Sequence, residues 1–197
     1  LKTYFLEKHQ IFVNNLFIVK QGADEEAIHK LRLSLKRIKA LFKFCQFMGP
    51  GRFVYKNEFR VFRPVFKKLS YVRDYQVQQK LTGHYADKLG LQFDEHKDLL
   101  KQQEILAFNH FNQWVKNYEI PDIEHTLEKL DRLQSGLSDV TQLIIDLKEK
   151  RFGQINIKTS NGAGQKHLHK IRGHLKELHY VFDIGNMIKI DLVGKDQ

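Results

Sequence analysis

The sequence predicts an all-α protein made of two related helical halves, and three observations carry that reading. Prolines are scarce, only 3 in 197 residues, while 28% of residues are charged and 42% hydrophobic, which suits long helices around a core better than a sheet. Apolar residues recur at helical spacing through most of the chain. One decorated helix also occurs twice. His29-Lys30-Leu31-Arg32-Leu33-Ser34-Leu35-Lys36 aligns without gaps with His169-Lys170-Ile171-Arg172-Gly173-His174-Leu175-Lys176, at an offset of 140 residues. The apolar pairs Leu31/Ile171, Ile38/Leu178, Leu41/Val181 and Phe42/Phe182 extend the match, as expected of an internal repeat.

The elements follow in order. Lys2 to Val19 reads as an amphipathic helix stopping near Gly22. Asp24 is a natural N-cap for a second helix through Met48, with Glu25 and Glu26 in the first turn, where the helix dipole favours acids. Gly49-Pro50-Gly51 ends it. A third helix is expected over Phe53 to Leu69, bent or divided by Pro64, and a fourth over Val72 to Leu89, stopped by Gly90. A fifth spans Phe93 to Tyr118, ahead of Pro121, and Asp122 caps a sixth reaching Lys150. Phe152 to Gln165, containing Ser160-Asn161-Gly162-Ala163-Gly164, reads as a flexible loop. A seventh helix covers Lys166 to Phe182, and Ile184 to Gln197 stays unassigned.

Charge is concentrated rather than spread. Lys20 to Lys80 holds 15 Lys or Arg against 5 Asp or Glu, while the rest of the chain holds 18 of each, so the whole net charge of +10 sits in about one third of the sequence. Such a concentration points to a polyanionic partner. At about 100° per residue, His29, Arg32, Lys36, Lys39 and Lys43 share one arc of the second helix, beside an apolar stripe of Leu31, Leu35, Ile38 and Phe42. His169, Arg172, Lys176 and His179 occupy the same arc in the second copy, beside Ile171, Leu175, Leu178 and Phe182. Lys56, Arg60, Arg63 and Lys67 form another ridge next to Phe59, Phe62, Phe66 and Leu69, and only Glu58 and Asp74 are acidic between Ala27 and Lys80. Like charges so close repel, and a bound polyanion relieves that repulsion. A lone basic face is ordinarily just a solvated face; two neighbouring ridges, one of them repeated, favour binding. Arg brings a planar fork of donors, Lys a compact charge and His a donor that titrates near neutrality, all suited to phosphate.

These motifs resemble those of the CHAD (conserved-histidine α-helical domain) family. His-x-x-Arg-x-x-x-Lys-x-x-Lys, from His29 to Lys39, resembles the first signature, and Leu69-Ser70-Tyr71-Val72-Arg73-Asp74-Tyr75-Gln76-Val77 resembles the Arg-Asp segment that follows it. His169-Lys170-Ile171-Arg172 with Lys176 resembles the second signature helix. The resemblance implies two pseudo-symmetric helical bundles, residues 1–91 and 92–197, whose basic helices face a shared groove that binds inorganic polyphosphate. It carries over His29, Arg32, Lys36, Lys39, Arg63, Lys67, Arg73, His169, Arg172 and Lys176, and the ridges add Lys43, Arg60 and His179. Three departures stand out: Ser70 replaces a favoured Gly, Glu177 and His179 replace basic residues, and little chain follows the second signature.

Other chemistries find less support. The single Cys45 lies in an apolar run and permits no internal disulfide, which fits a reducing cytoplasmic setting, and the family resemblance implies association with polyphosphate granules. No stretch is apolar enough to span a bilayer. His167, His169, His174 and His179 lack the i, i+4 pairing of helical metal ligands, and Arg172 and Lys176 beside them repel a cation, so no metal is expected. Gly162-Ala163-Gly164-Gln165-Lys166 is not a P-loop, and neither a Glu-x-Glu-x-Lys run nor an acidic cluster accompanies the ridges. The protein is therefore expected to bind without catalysis and without a cofactor. Nucleic-acid backbone and acidic or pyrophosphorylated protein segments are the rival partners. Many of the 15 Phe and 7 Tyr fall on apolar seams rather than among the basic residues, which disfavours base stacking.

Overall fold

In the computed structural model, which describes residues 1–136, 140–160 and 165–193, every regular element is a helix. The order is α1 (Lys2–Gln21), α2 (Glu25–Met48), α3 (Tyr55–Glu58), α4 (Arg63–Leu89), α5 (Asp94–Val115), α6 (Glu124–Ser135), α7 (Val140–Ser160) and α8 (Gln165–Val193). None of these is long and apolar enough to cross a membrane, among the described residues. The all-α expectation holds.

Local chemistry explains most boundaries. Asp24 caps α2 as expected, its Oδ1 accepting from the Ala27 amide at 2.6 Å. Gly51, at φ 81°, makes the turn after α2. Gly90 ends α4 in the left-handed conformation, at φ 64°, with its amide donating to the Ala86 carbonyl. Asp122 Oδ1 accepts from the Glu124 amide at 3.0 Å at the start of α6.

Four expectations are corrected. Pro64 neither bends nor divides a helix; it sits in the first turn of α4, where its missing N–H costs nothing. The expected third and fourth helices therefore become the one-turn α3 and a continuous α4. The expected sixth helix closes at Ser135, with Gly136 as its C-cap, and α7 begins at Val140. Most of the expected loop, Phe152 to Ser160, continues α7, and the helix from Gln165 runs on through the tail to Val193. In its first half α7 packs on α8, with Ile144 and Leu147 buried, as are Val181 and Ile184, and the helix continues from there to Ser160. Gly185 permits the close approach, since a Cβ at that point would collide with the Ile144 side chain. Residues 161–164 lie outside the described residues.

The chain divides into two units that interleave along the sequence. One comprises Leu1–Glu7, Arg37–Phe59 and Asp122–Gln197, and the other Lys8–Lys36 and Arg60–Pro121. The first, the α7/α8 unit, has a core of Phe5, Leu41, Phe42, Phe53, Leu130, Leu147 and Val181. Phe42 meets Phe5 and Phe53, each at a centroid distance of 5.4 Å. The second, the α4/α5 unit, buries Phe12, Leu16, Ile28, Leu31, Leu35, Phe62, Val65, Leu69 and Phe111. Phe12 and Phe62 stand edge to face, 5.4 Å apart.

Candidate functional site

In the α4/α5 unit, the first half of α2 lies against α4. Ile28, Leu31 and Leu35 are fully buried and fix the helix face, so His29, Arg32 and Lys36 emerge along one side, His29 exposed and the other two half-buried. Arg32 is the hinge pin of this arrangement. Its Nη1 donates to the Phe66 carbonyl at 3.0 Å and to Ser70 Oγ at 2.7 Å, and its guanidinium lies 5.0 Å from the centre of the Phe66 ring. Burial holds the Arg32 pKa below its usual value; the field of Asp74 works upward against this and that of Arg73 adds to it. Ser70, a departure from the family pattern, thus supplies the hydroxyl that positions the signature arginine.

Glu25 at the start of α2 pairs with Arg73, and Arg32 with residues 66 and 70, so α2 and α4 run antiparallel. That register sets Lys36 level with the first turn of α4, where Arg63 begins the helix. Arg63 and Lys67 are exposed. Neither they nor Arg32 forms an ion pair among the described residues. His29, Arg32, Lys36, Arg63 and Lys67 therefore share one basic face.

Two expected members behave differently. Arg60 lies in the exposed turn before α4, so Lys56, Arg60, Arg63 and Lys67 are not one helical ridge as the spacing suggested. Arg73 is engaged with Glu25 and also donates to Gln76 Oε1 at 3.3 Å. Lys80 reaches the same Glu25 oxygen at 2.7 Å. Burial works to raise the Glu25 pKa, but the bonds from Lys80 and Arg73 outweigh it and hold the carboxyl below its usual range. Arg73 thereby fastens α4 to the N-terminus of α2.

In the α7/α8 unit, the second half of α2 packs against α8. Lys39 is half-buried, its Nζ 5.9 Å from the Phe59 ring centre. Lys43 pairs with Glu177 at 2.8 Å, and Arg37 with Asp183 at 3.8 Å. These pairs set α2 and α8 antiparallel. Arg151 of α7 reaches the other Glu177 oxygen at 2.6 Å. Burial alone would raise the Glu177 pKa, yet the bonds and charges of Lys43 and Arg151 leave it below the usual carboxylate value. His169, Arg172, Lys176 and His179 line the exposed side of α8 with no ion pair among the described residues. Lys43 is thus bonded to a buried carboxylate, whereas the four α8 residues are displayed to solvent.

Sequence reasoning flagged Glu177 only as a departure and missed Arg151 altogether. Glu177 could have been found from its place, opposite cations on an apolar helix; Arg151 gives no signal, because its role depends on α7 continuing past Lys150. Among the described residues, no three His, Cys, Asp or Glu side chains are grouped to hold a metal ion. What the basic faces can do chemically is hold anions, through charge-assisted N–H donors.

Comparison with known proteins adds one finding. The family model described as the CHAD domain matches residues 6–185, nearly the whole chain. No curated protein matches it.

Proposed function

The chain belongs to the CHAD domain family, and on that premise we propose that it binds inorganic polyphosphate, without catalysis, on the basic face that α2 and α4 build. One observation carries the reading. Arg32 is half-buried and held in place by the Phe66 carbonyl and Ser70 hydroxyl, with no carboxylate among the described residues paired to it or to its neighbours Arg63 and Lys67. A guanidinium used only for structure would normally be paired with a carboxylate, as Arg73 and Arg151 are here. This one is oriented by neutral acceptors, which keeps its positive charge available to a ligand. A linear polyphosphate laid along His29, Arg32, Lys36, Arg63 and Lys67 replaces condensed counterions by fixed cations, so affinity should fall steeply with salt. His169, Arg172 and Lys176 repeat the same arc on α8, in the other unit, and form a basic stretch of its own. Binding in the cytoplasm fits a chain whose single cysteine, Cys45, is buried and outside any disulfide.

The test is a salt series with long-chain polyphosphate, run on the native protein and on Arg63→Glu with Lys67→Glu. Both positions are exposed, so folding should survive. The double variant should weaken binding by at least about tenfold, since one charge-assisted contact is worth on the order of 1.5 kcal/mol. Lys88→Glu with Lys97→Glu changes the charge equally, in the last turn of α4 and the first turns of α5, and should have little effect. Equal losses in both variants would mean that net charge alone attracts the polymer. RNA competing better than polyphosphate of matched charge would reassign the site to nucleic acid. Release of orthophosphate above a heat-treated control, in the presence of Mg²⁺, would overturn the non-catalytic reading.

A further inference from the structure

Beside the basic face lies a cavity that an inorganic chain does not need. It measures about 350 Å³ and opens between α4 and α5, lined by Lys68, Tyr71 and Tyr75 from one helix and by Gln103, His110 and Phe111 from the other. That volume falls at the small end of the range in which proteins hold organic ligands. Lys68 is its one permanently charged lining side chain, and it sits 5.3 Å from the ring of Trp114, the only tryptophan in the chain. The Tyr71 ring is 57% exposed although it stands at the mouth of this apolar recess.

Position on the helix links the cavity to the cations. Tyr71 lies one turn after Lys67, and Lys67 one turn after Arg63, so the three are successive neighbours along the α4 surface. A ligand that extends from the cations into the cavity must then carry phosphate at one end and a flat, partly polar ring at the other. Phenol and imidazole faces offer stacking, and the Gln103 amide offers one donor and one acceptor to a ring edge. An apolar protein segment would leave Lys68 and Gln103 unmatched, and a bare polyphosphate would leave the phenol faces unused.

We infer that this cavity takes the base of a nucleoside polyphosphate whose phosphates lie on Arg63 and Lys67. The inference rests on the reading of those cations as a phosphate site, and it widens the ligand class from inorganic chains to free nucleotides. One cavity holds one base, which favours a free nucleotide over a strand.

Calorimetric titration with ATP, inorganic tripolyphosphate, adenosine and a short oligoadenylate tests it, with Trp114 fluorescence excited near the red edge as the local readout. ATP should bind about tenfold more tightly than tripolyphosphate and perturb Trp114, which tripolyphosphate should not. Tyr71→Ala should lower ATP to the affinity of tripolyphosphate and leave tripolyphosphate unchanged, while Tyr71→Phe retains the difference. Equal affinities for ATP and tripolyphosphate in the native protein would overturn the inference and leave the phosphate site standing. Failure of tripolyphosphate to bind would overturn the phosphate site itself. Oligoadenylate binding more tightly than ATP at matched charge would overturn the assignment to a free nucleotide.

Discussion

Helices α2 and α8 carry the same motif, yet the molecule uses them differently. In α2 the whole apolar stripe of Leu31, Leu35, Ile38 and Phe42 is buried. In α8 the equivalent of Ile38, Leu178, is buried, but Leu175 is 48% and Phe182 is 44% exposed. The polar positions diverge as well. Arg32 of α2 is gripped by a carbonyl and a hydroxyl, whereas its counterpart Arg172 is displayed to solvent. Arg37 of α2 is replaced by Glu177 in α8, a buried acid between two cations. A repeated sequence pattern thus fixes where side chains can point, while the neighbours decide which of them are held. Preorganised cations bind more tightly than free ones because less side-chain freedom is lost on binding.

The largest test of this contrast concerns stability. Glu177→Ala leaves Lys43 and Arg151 facing each other without their shared carboxylate and should cost about 3 kcal/mol, the range for breaking a buried ion pair. Arg37→Ala, at the equivalent position of α2, removes a half-exposed contact and should cost less than about 1 kcal/mol. Urea unfolding midpoints measure both. Equal costs would erase the distinction between the helices.

Binding sharpens the same comparison at the next level. Lys36→Glu should weaken polyphosphate binding by about tenfold and Lys176→Glu by only about threefold, because α2 presents its cations beside a gripped arginine and α8 does not. Calorimetry of the two single variants decides it. A larger loss at Lys176 would move the main site to α8.

Acid gives a smaller and more general effect. The carboxyls of Glu25 and Glu177 are held below their usual range when folded. A depressed folded-state value means that their stabilisation is complete above the unfolded value, near pH 4, and is lost as pH falls through the folded values. Resistance to urea should therefore drop below about pH 4, and Glu177→Gln should flatten that drop by removing one of the depressed carboxyls, which include Glu104 as well. An unchanged profile would mean that Glu177 is not charged in the folded protein.

Much of this was legible in the sequence, and the gaps have physical causes. The fold class, the Asp24 cap and the Gly90 stop depend on local chemistry that a short window contains. Pro64 was read as a break because a proline inside a periodic run usually is one; its place in a first turn depends on Phe59 and Phe62 being buried as a turn, which periodicity does not reveal. The segment from Phe152 to Ser160 reads as loop because it leads into Ser160-Asn161-Gly162-Ala163-Gly164, whereas α7, anchored on α8 at Ile144 and Leu147, continues through it. Among site residues, the apolar stripe of α2 correctly placed His29, Arg32 and Lys36 on one side. That Arg73 is tied to Glu25 was not visible, because the pairing joins residues 48 apart. Nor were the exposed Tyr71 and the half-buried Tyr75, since helical spacing alone does not say which of the aromatic rings leave the apolar seams.

The ion pairs between α2 and α8 have one more consequence. Under the repeat, Arg37 corresponds to Glu177 and Lys43 to Asp183, so Arg37–Asp183 and Lys43–Glu177 are the same contact seen from its two ends. Exchanging one pair, as Arg37→Asp with Asp183→Arg, should return stability to within about 0.5 kcal/mol of the starting protein, whereas either single change costs more. The sign pattern also selects the mate. Two copies of α2 meeting in this register would set Arg37 against Lys43, and two copies of α8 would set Glu177 against Asp183. Only the mixed pair is neutral, so each helix rejects its own kind and accepts the other. Charge alone thus makes the two copies of one motif complementary, and bars either from forming the same contact with itself.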